Sequence, residues 1–342
     1  MKTSAPKVKD VARIAGVSTA TVSRVLNDPD KVSEATRTAV LEAVKQTGYR
    51  VNQAARNLRT NTTRTILALV PNLANPFFSN ILSGLERELA TANYNLLVTD
   101  SAGGKLSAAD IGRLIAAGQA DGLIILDGNS SRADIEQVQD EYPECPLVYA
   151  CEWVEGFAGP SVRADNEGGI RLLADHLWDL GHRCFGHVTG PADNILSRYR
   201  RHAFETRIQE LGGTVKDNWI IPGDFSIASG SAAAEKILQM TDQPTAWICA
   251  SDTMAFGMIS TFTRAGLDVP GDVSVTGFDN IEMTEVFNPP LTTIHQHRNK
   301  MGQQAARCML DRLANRPAAE TQGVVMPVYL IARGSSGPVR ER

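Results

Sequence analysis

The sequence predicts a small all-α helix-turn-helix head followed by a two-lobed α/β body with parallel sheets. Apolar residues recur at helical spacing in residues 7–50, whereas short apolar runs alternate with helical segments from residue 65 onward. That alternation runs twice, with a break near residues 155–163, which predicts two lobes. The charge is also uneven: residues 1–64 hold 12 Lys and Arg against 5 Asp and Glu, a net of +7, whereas the whole chain has a net charge of −4. Such a basic segment is typical of a chain that brings one part to a polyanion.

Bulk composition narrows the class of protein. A length of 342 residues exceeds one ordinary domain. No apolar run approaches the ~20 residues that span a bilayer, and the first ten residues lack the apolar stretch of a secretory signal. We therefore expect a cytoplasmic protein without a membrane partner. The five cysteines are scattered, which predicts free thiols rather than a disulfide framework; they are Cys145, Cys151, Cys184, Cys249 and Cys308.

The head is predicted to form three helices, over "VKDVARIA", "TATVSRVL" and "EATRTAVLEAVKQTG". Gly16 suits a tight turn between the first two, and Ser18 and Ser33 suit the N-cap positions of the second and third. Two helices joined by such a turn, with a third behind them, are typical of the helix-turn-helix arrangement. The residues expected to face the core are Val8, Val11, Ala12, Ala15, Val22, Val25, Leu26, Val40, Leu41 and Val44.

The opposite face of the second helix is the candidate DNA-binding surface. Its residues are small or hydrogen-bonding and include no acid, so they suit entry into a major groove; they are Thr19, Ala20, Thr21, Ser23, Arg24 and Asn27. Apolar spacing by itself is equally compatible with any small helical bundle.

Residues 51–64 are polar, with a single large aliphatic residue, Leu58, between Asn57 and Arg59. One interpretation is an amphipathic linker whose leucine docks on the protein. The other is a hinge helix that forms on DNA, with Leu58 wedged into a minor-groove step and Arg56 and Arg59 near phosphates. The residues alone leave both interpretations open.

The body is predicted to span residues 65–335, followed by a disordered tail at 336–342. Strand candidates lie at 65–71, 95–100, 121–126 and 146–151, and again at 184–190, 245–251 and 273–279. Helical stretches between them favour parallel sheets with right-handed crossovers. Because ligands of such sheets bind at the carboxyl ends of the strands, we expect a site in the cleft between the two lobes.

The chain resembles the LacI/GalR family of bacterial transcription regulators. The resemblance rests on "VKDVARIAGVSTATVSRVLN" and continues through "NPFF", "DGLII", "LGHR", "SDTMAFG", "SVTGFDN" and "PPLTTI". It covers essentially the whole chain, and "STATVSR", "TRTILALVP" and "NPFF" are most similar to the cytidine-repressor subgroup. The resemblance implies that Thr19, Ala20 and Arg24 read bases. It also favours the hinge-helix interpretation, with Ala55 and Leu58 in the family's "A-x-x-L" pattern. Two such leucines in a dimer would kink the centre of a pseudo-palindromic operator.

For the body, the resemblance implies a periplasmic-binding-protein-like fold with a small-molecule effector between the lobes. Arg200 and Asp279 would form the paired polar ligands, and Ser251 would stand where other members carry a longer amide. Phe77, Phe78 and Phe225 would form aromatic walls, and Glu152 and Trp153 are further candidates. The alternatives are structural: two core phenylalanines, an Arg200–Glu205 ion pair, and a turn role for Asp279.

Other function classes have little support. His295 and His297 alternate as metal ligands on a strand can, but no third ligand has the usual spacing, so we expect neither metal nor cofactor. The chain contains no GxGxxG or GxSxG sequence and no P-loop lysine, so we expect no enzyme. A binding protein without DNA regulation is the alternative, although the basic head argues against it. We predict a homodimeric repressor whose effector is a nucleoside or a sugar.

Overall fold

The computed structural model describes residues 6–49, 62–101, 107–116, 120–156, 159–315 and 323–340. The chain divides into two compact units after Thr63. The first unit contains three helices: α1 (Val8–Ala15), α2 (Thr19–Asn27) and α3 (Glu34–Thr47). A single 3-10 turn, Pro29–Lys31, lies between α2 and α3. The helix-turn-helix prediction is confirmed.

The predicted caps set the helix boundaries of the head. Ser18 Oγ accepts a hydrogen bond from the Thr21 amide at 3.0 Å, and Ser33 Oγ accepts one from the Thr36 amide at 3.4 Å. Gly16 ends α1 with a φ of 66°, in the left-handed region where a side chain would be strained. The turn between α1 and α2 therefore depends on a glycine at this position.

The core of the head departs from the prediction at one residue. Val11, Val22 and Val40 are fully buried, but half of Leu41 is exposed (50%) and Ala43 is buried in its place. Because successive helical residues are turned by 100°, Val40, Ala43 and Val44 share the inner face of α3, whereas Leu41 points away from it. The expectation that Leu41 faces inward is wrong.

The second unit alternates strands and helices, as predicted. Its strands are β1 (Thr65–Val70), β2 (Asn95–Asp100), β3 (Gly122–Ile125), β4 (Leu147–Ala150), β5 (Ser161–Ala164), β6 (Phe185–Thr189), β7 (Ile220–Pro222), β8 (Ala246–Cys249), β9 (Ser274–Thr276), β10 (Thr293–Gln296), β11 (Val324–Met326) and β12 (Val328–Ile331). Its α-helices are α4 (Phe77–Thr91), α5 (Ala108–Ala116), α6 (Arg132–Glu141), α7 (Asn166–Asp179), α8 (Ile195–Leu211), α9 (Ile227–Leu238), α10 (Asp252–Arg264), α11 (Met283–Val286) and α12 (Arg298–Leu313). A 3-10 turn spans Asp217–Trp219.

Two parallel sheets form the two lobes. The first has the order β11-β5-β4-β3-β1-β2, and the second has the order β7-β6-β8-β9. A small antiparallel pair, β10-β12, joins the second lobe through bridges from Thr276 to Thr292 and from Asp279 to His295. The order of strands reverses at β1/β3 in one sheet and at β6/β8 in the other, so both sheets have a switch point at which ligands bind.

The chain crosses between the lobes later than the sequence predicts. The predicted break at 155–163 overlaps β5, which pairs with β4 in the first sheet, so the first crossing comes at Asp165. The chain returns at His297, where α12 packs against α4 of the first lobe, and crosses again between β11 and β12. Each lobe is therefore built from separate stretches of the chain.

The predicted disordered tail is ordered over residues 336–340. The amide of Gly337 donates to Ser274 Oγ at 3.1 Å, and the amide of Val339 donates to the carbonyl of Leu180 at 3.1 Å. Arg340 forms an ion pair with Asp268 at 3.3 Å. The glycine and serine content of "GSSGPVRER" suggested disorder, but these backbone groups find partners on the second lobe.

Candidate functional site

The exposed face of α2 carries three of the predicted base-reading residues. Thr19, Ala20 and Arg24 are exposed, and no acid lies within α2. Thr21 is half-buried, and its hydroxyl lies 2.9 Å from Ser18 Oγ, so it belongs to the cap of the helix. Ser23 is half-buried as well. Asn27 is the last residue of α2, and its side chain lies outside the described part of the structure.

Three other predicted DNA contacts, Ala55, Leu58 and Arg59, lie outside the described residues, as does most of the predicted hinge segment at 51–64. Their roles stay predictions.

A cavity of about 830 Å³ lies at the carboxyl ends of the strands of both lobes. The first lobe contributes the loops after β1, β2, β3 and β4, and the second lobe contributes those after β6, β7 and β8. We call this space the main cavity. Its position is the one that the two switch points predict.

A smaller space of about 30 Å³, the inner recess, adjoins the main cavity and shares Asn75, Phe78, Glu152 and Phe225 with it. All six residues predicted to bind effector line this recess. The described residues around it are Asn75, Phe77, Phe78, Cys151, Glu152, Leu196, Arg200, Phe225, Ser251 and Asp279. Most of them are buried, so this is the deepest part of the cleft.

Arg200 is held rigidly within the second lobe. It lies on α8 and is only 2% exposed. Its Nε donates to Asn166 Oδ1 at 2.9 Å, and its Nη1 donates to the carbonyl oxygen of Ala250 at 2.5 Å. The guanidinium also stacks on Phe278 at 3.8 Å. The alternative pairing of Arg200 with Glu205 does not occur, because Arg201 forms that ion pair.

Asp279 faces Arg200 from the end of β9. It is 7% exposed and accepts a hydrogen bond from Gln296 Nε2 at 2.7 Å. Its Oδ1 lies 4.0 Å from Nη2 of Arg200, which is beyond hydrogen-bond distance. Burial raises the pKa of the Asp279 carboxyl, and the charge of Arg200 opposes that rise. The φ of Asp279 is 129°, a conformation that L residues rarely adopt and that is typical of functional sites.

Aromatic rings enter the recess from both lobes. Phe77 and Phe78 open α4 and contact each other edge to face, with centroids 5.0 Å apart. Phe225 follows β7 with a φ of 64°, and its carbonyl oxygen accepts a hydrogen bond from the Thr253 hydroxyl at 2.6 Å. A Cβ added to Gly190 would lie 2.2 Å from the Phe225 ring, so this ring position depends on the glycine.

Ser251 has a structural partner. Its hydroxyl caps α10 by accepting a hydrogen bond from the Met254 amide at 3.4 Å, and it lies 2.9 Å from the hydroxyl of Thr253. Because this hydroxyl already bonds the helix and Thr253, any ligand contact would be shared with these partners.

Glu152 joins the two lobes inside the cavity. It follows β4 of the first lobe and is 5% exposed. Its carboxylate accepts a hydrogen bond from the Gly128 amide at 2.8 Å and another from the side chain of Asn194, which caps α8 of the second lobe. Burial raises the pKa of Glu152 to about 7 despite these two bonds. The sequence indicates Glu152 as a candidate wall residue but does not indicate its partners.

Arg298, which no sequence motif marks as a site residue, begins α12 and links both lobes. Its Nη2 donates to the carbonyl of Asn280 at 2.9 Å, and its Nη1 donates to the carbonyl of Phe77 at 3.3 Å. The only signal in the sequence was an arginine just after a strand of the second lobe. These hydrogen bonds connect the start of α4, which carries Phe77 and Phe78, to the segment that follows Asp279.

Neither a membrane-length helix nor a metal site occurs among the described residues. In that part of the chain no helix has the length and apolar character needed to cross a bilayer. Nor do three or more His, Cys, Asp or Glu side chains there converge as metal ligands. His295 and His297 contact each other edge to face at 5.0 Å. All five cysteines are free thiols, three of them buried.

A helix-turn-helix unit joined to a two-lobed body with a cavity between the lobes defines a class of ligand-responsive DNA-binding regulators. Residues 7–52 match the family described as bacterial regulatory proteins of the lacI family, and residues 174–336 match the periplasmic binding protein-like domain. The HTH-type transcriptional repressor CytR of Escherichia coli K12 is 37% identical over 334 residues, covering 97% of each chain. The repressor PurR of Photobacterium profundum is 37% identical over 309 residues, covering 90% of this chain and 92% of PurR. The chain belongs to the LacI family and is a DNA-binding transcriptional repressor.

Solved structures of related regulators have a fold similar to that of this chain. A lac repressor dimer bound to operator and the anti-inducer ONPF is 27% identical, with a TM-score of 0.86 over 97% of this chain and 99% of that one. A complex of the transcriptional regulator CelR with cellobiose is 30% identical, with a TM-score of 0.73 over 96% of this chain and 99% of that one.

Proposed function

We propose that this repressor acts as a homodimer whose affinity for a pseudo-palindromic operator is set by a small molecule bound in the inner recess and main cavity. The observation that carries the proposal is the convergence of Phe77, Phe78, Arg200, Phe225, Ser251 and Asp279 around one recess at the switch points of both sheets. The dimer is supported by the lac repressor structure, which is a dimer bound to operator.

The proposed effector has at least one hydroxyl or carbonyl group that reaches the recess. The 4.0 Å between Arg200 Nη2 and Asp279 Oδ1 leaves room for an oxygen to contact both groups. A hydroxyl there would accept from the guanidinium and donate to the carboxylate. A flat or apolar ring face would stack between Phe78 and Phe225. The resemblance to cytidine repressors favours a nucleoside, whereas the cellobiose complex and a ribose-bound regulator that is 28% identical keep a sugar as the second candidate.

On the DNA side, Thr19, Ala20 and Arg24 would face the base edges, with Thr21, Ser23 and Asn27 beside them. Arg24 suits bidentate pairing with a guanine, and Ala20 suits contact with a thymine methyl group. Leu58 of each protomer would enter the central minor-groove step, with Ala55 and Arg59 beside it. We propose that the protein acts in the cytoplasm, where the chromosome lies, and that its function involves neither a catalytic step nor a cofactor.

Effector and operator would be linked through the orientation of the two lobes. If ligand binding favours one orientation and operator binding favours another, each ligand weakens the other by the same factor. Arg298 and Glu152 each form hydrogen bonds with groups of both lobes, so a change in lobe orientation would change these bonds. We propose that these two side chains couple ligand binding in the recess to the orientation of the lobes.

The test is operator release by the full-length protein. The operator is first selected from a random-sequence DNA pool, and affinity is then measured by fluorescence anisotropy with nucleosides, nucleobases, sugars and sugar acids added singly. We expect one class to change operator affinity at least fivefold. Tight binding in the cavity without any change in operator affinity would contradict effector control, and failure to retain any duplex at moderate salt would contradict the operator assignment.

A further inference from the structure

The charged side chains that the described residues contribute to the lining of the main cavity are all acidic. Among the described residues that line it are four acids, Asp100, Glu152, Asp193 and Asp224, and no Lys, Arg or His. Asp100, Asp193 and Asp224 are exposed, and Glu152 is buried. The remaining polar lining consists of amides and hydroxyls, which bind neutral groups as readily as charged ones.

Arg200 does not balance these acids. Arg200 lines the inner recess rather than the main cavity, and its guanidinium bonds Asn166 and the carbonyl of Ala250 and faces Asp279. Its guanidinium is therefore engaged within the recess by Asn166, Ala250 and Asp279. A ligand group in the main cavity meets the four carboxyl groups instead.

The positive ends of helix dipoles oppose the negative charge of the cavity carboxylates, and the sizes of the two charges can be compared. Four helices, α4, α8, α9 and α10, begin at or beside residues that line the main cavity. Each end is equivalent to roughly +0.5 charge, or about +2 together. The three exposed carboxylates outweigh this amount before Glu152 is counted. Asp224 in particular stays ionised, because a hydrogen bond from Ser226 lowers its pKa.

We propose that the main cavity selects effectors that are uncharged or cationic and rejects the phosphorylated or carboxylated form of the same molecule. This inference rests on the proposed function, because it names the charge class of the ligand for that same site. Two phenylalanine faces, Phe78 and Phe225, line the cavity and agree with it, since aromatic faces attract cations and neutral rings but not anions.

A charge-sensitive probe tests this selectivity without knowledge of the ligand. Ala228 is exposed and lines the cavity at the start of α9, so Ala228→Cys places a reactive thiol there in the full-length protein. Its rate of reaction is measured with a cationic trimethylammonium-ethyl and an anionic sulfonatoethyl methanethiosulfonate. Ala90→Cys is the matched control, because it is exposed on α4 but ~20 Å along that helix from the cavity. The unsubstituted chain gives the background from the five native thiols.

At 0.15 M salt we expect the cation-to-anion rate ratio to be about tenfold higher at position 228 than at position 90, and higher still in dilute salt. Adding Asp193→Asn and Asp224→Asn should lower that ratio at least threefold. Equal ratios at the two positions, or faster reaction of the anionic reagent at 228, would overturn the proposal.

Paired ligands give a second readout. Cytidine is compared with cytidine 5′-monophosphate, and ribose with ribose 5-phosphate, by calorimetry on the full chain. The proposal predicts at least tenfold weaker binding of the phosphorylated member, and equal or tighter binding of that member refutes it. Should no compound bind while the reagent ratios are as expected, the nucleoside and sugar assignment fails, whereas the charge selectivity stands.

Discussion

Arg200 and Asp279 face each other across the inner recess with 4.0 Å between Nη2 and Oδ1, and both side chains are almost completely buried. Each is fixed by other partners, Asn166 and Ala250 for the arginine and Gln296 for the aspartate. The fixed separation is short enough for the two groups to interact electrostatically but too long for a hydrogen bond between them. A buried pair held slightly open is suited to receiving a ligand oxygen.

Replacing Asp279 tests this arrangement. We expect Asp279→Asn to weaken effector binding tenfold or more, since hydrogen bonds to charged groups contribute roughly 1.5–3 kcal/mol, and to leave operator affinity within twofold. Arg200 then loses its buried counter-ion, so unfolding should also occur at a lower temperature. Operator and effector affinities are measured well below that transition. Asp217→Asn, an exposed change on the same lobe, is the control; full effector response in the Asp279 variant would refute the assignment.

Two substitutions of Phe225 distinguish the contribution of its ring to ligand binding from the effect of its strained backbone on stability. Its φ of 64° disfavours any residue with a Cβ, so Phe225→Gly relieves strain that Phe225→Ala keeps. Both variants lose the ring and should bind effector equally weakly, whereas the glycine variant should be more stable than the alanine variant by about 1 kcal/mol. Thermal denaturation with and without ligand measures both effects. A difference in ligand affinity between the two would mean that backbone shape, rather than the ring, determines binding.

Glu152 should make stability depend on pH. Its pKa is raised to about 7 in the folded protein from an ordinary value of 4.5, so between these values the folded state holds a proton that the unfolded state has released. Stability contributed by this group therefore falls as pH rises from about 4.5 to about 7. Glu152→Gln removes the titration, and its stability relative to the unsubstituted chain should rise by about 3 kcal/mol across that window.

Urea denaturation at pH 5 and pH 8 measures the Glu152 effect. Glu144→Gln, an exposed change in the same lobe, serves as the control and should show no such trend. A Glu152 variant whose relative stability is the same at both values would show that the carboxyl is ionised throughout.

Arg24 should contribute sequence specificity rather than general affinity. It is exposed on α2, and bidentate pairing with one guanine implies that Arg24→Ala costs roughly 1–3 kcal/mol at one base position in each half-site. Binding to a set of single-base operator variants measures this loss. Arg13→Ala, on the exposed surface of α1, is the matched control and should reduce all affinities uniformly. A uniform loss for Arg24→Ala would instead assign that residue to a phosphate.

Elements with strong local patterns were predictable from the sequence. The three head helices have apolar residues at helical spacing, two of them have capping serines, and strands β1, β3 and β4 are mainly apolar runs. The site residues were predictable only through family motifs, because an aspartate in "GFDN" and an arginine in "SRYRRHAF" look like ordinary turn and surface residues by composition. Their convergence around one recess depends on two sheets meeting, which no local pattern contains.

Other strands and side-chain roles could not be predicted from the sequence, each for a physical reason. Strands β7 and β11 have three residues each, too few for a pattern. β5 overlaps the segment 155–163, whose glycine and proline content indicated a break. Glu152 and Arg298 each have one partner in each lobe, so their roles depend on where the chain crosses rather than on neighbouring residues.

The repeated crossing of the chain also limits how such a protein can be recombined. Each lobe is made of discontinuous stretches, with the first lobe ending at β5 and resuming at α12 and β11. No single cut separates the lobes, so exchanging one of them between relatives requires several compatible junctions at once. The boundary after Thr63 requires only one. Transplanting the whole body onto another head is therefore the simple route to a repressor that pairs an existing effector with a new operator.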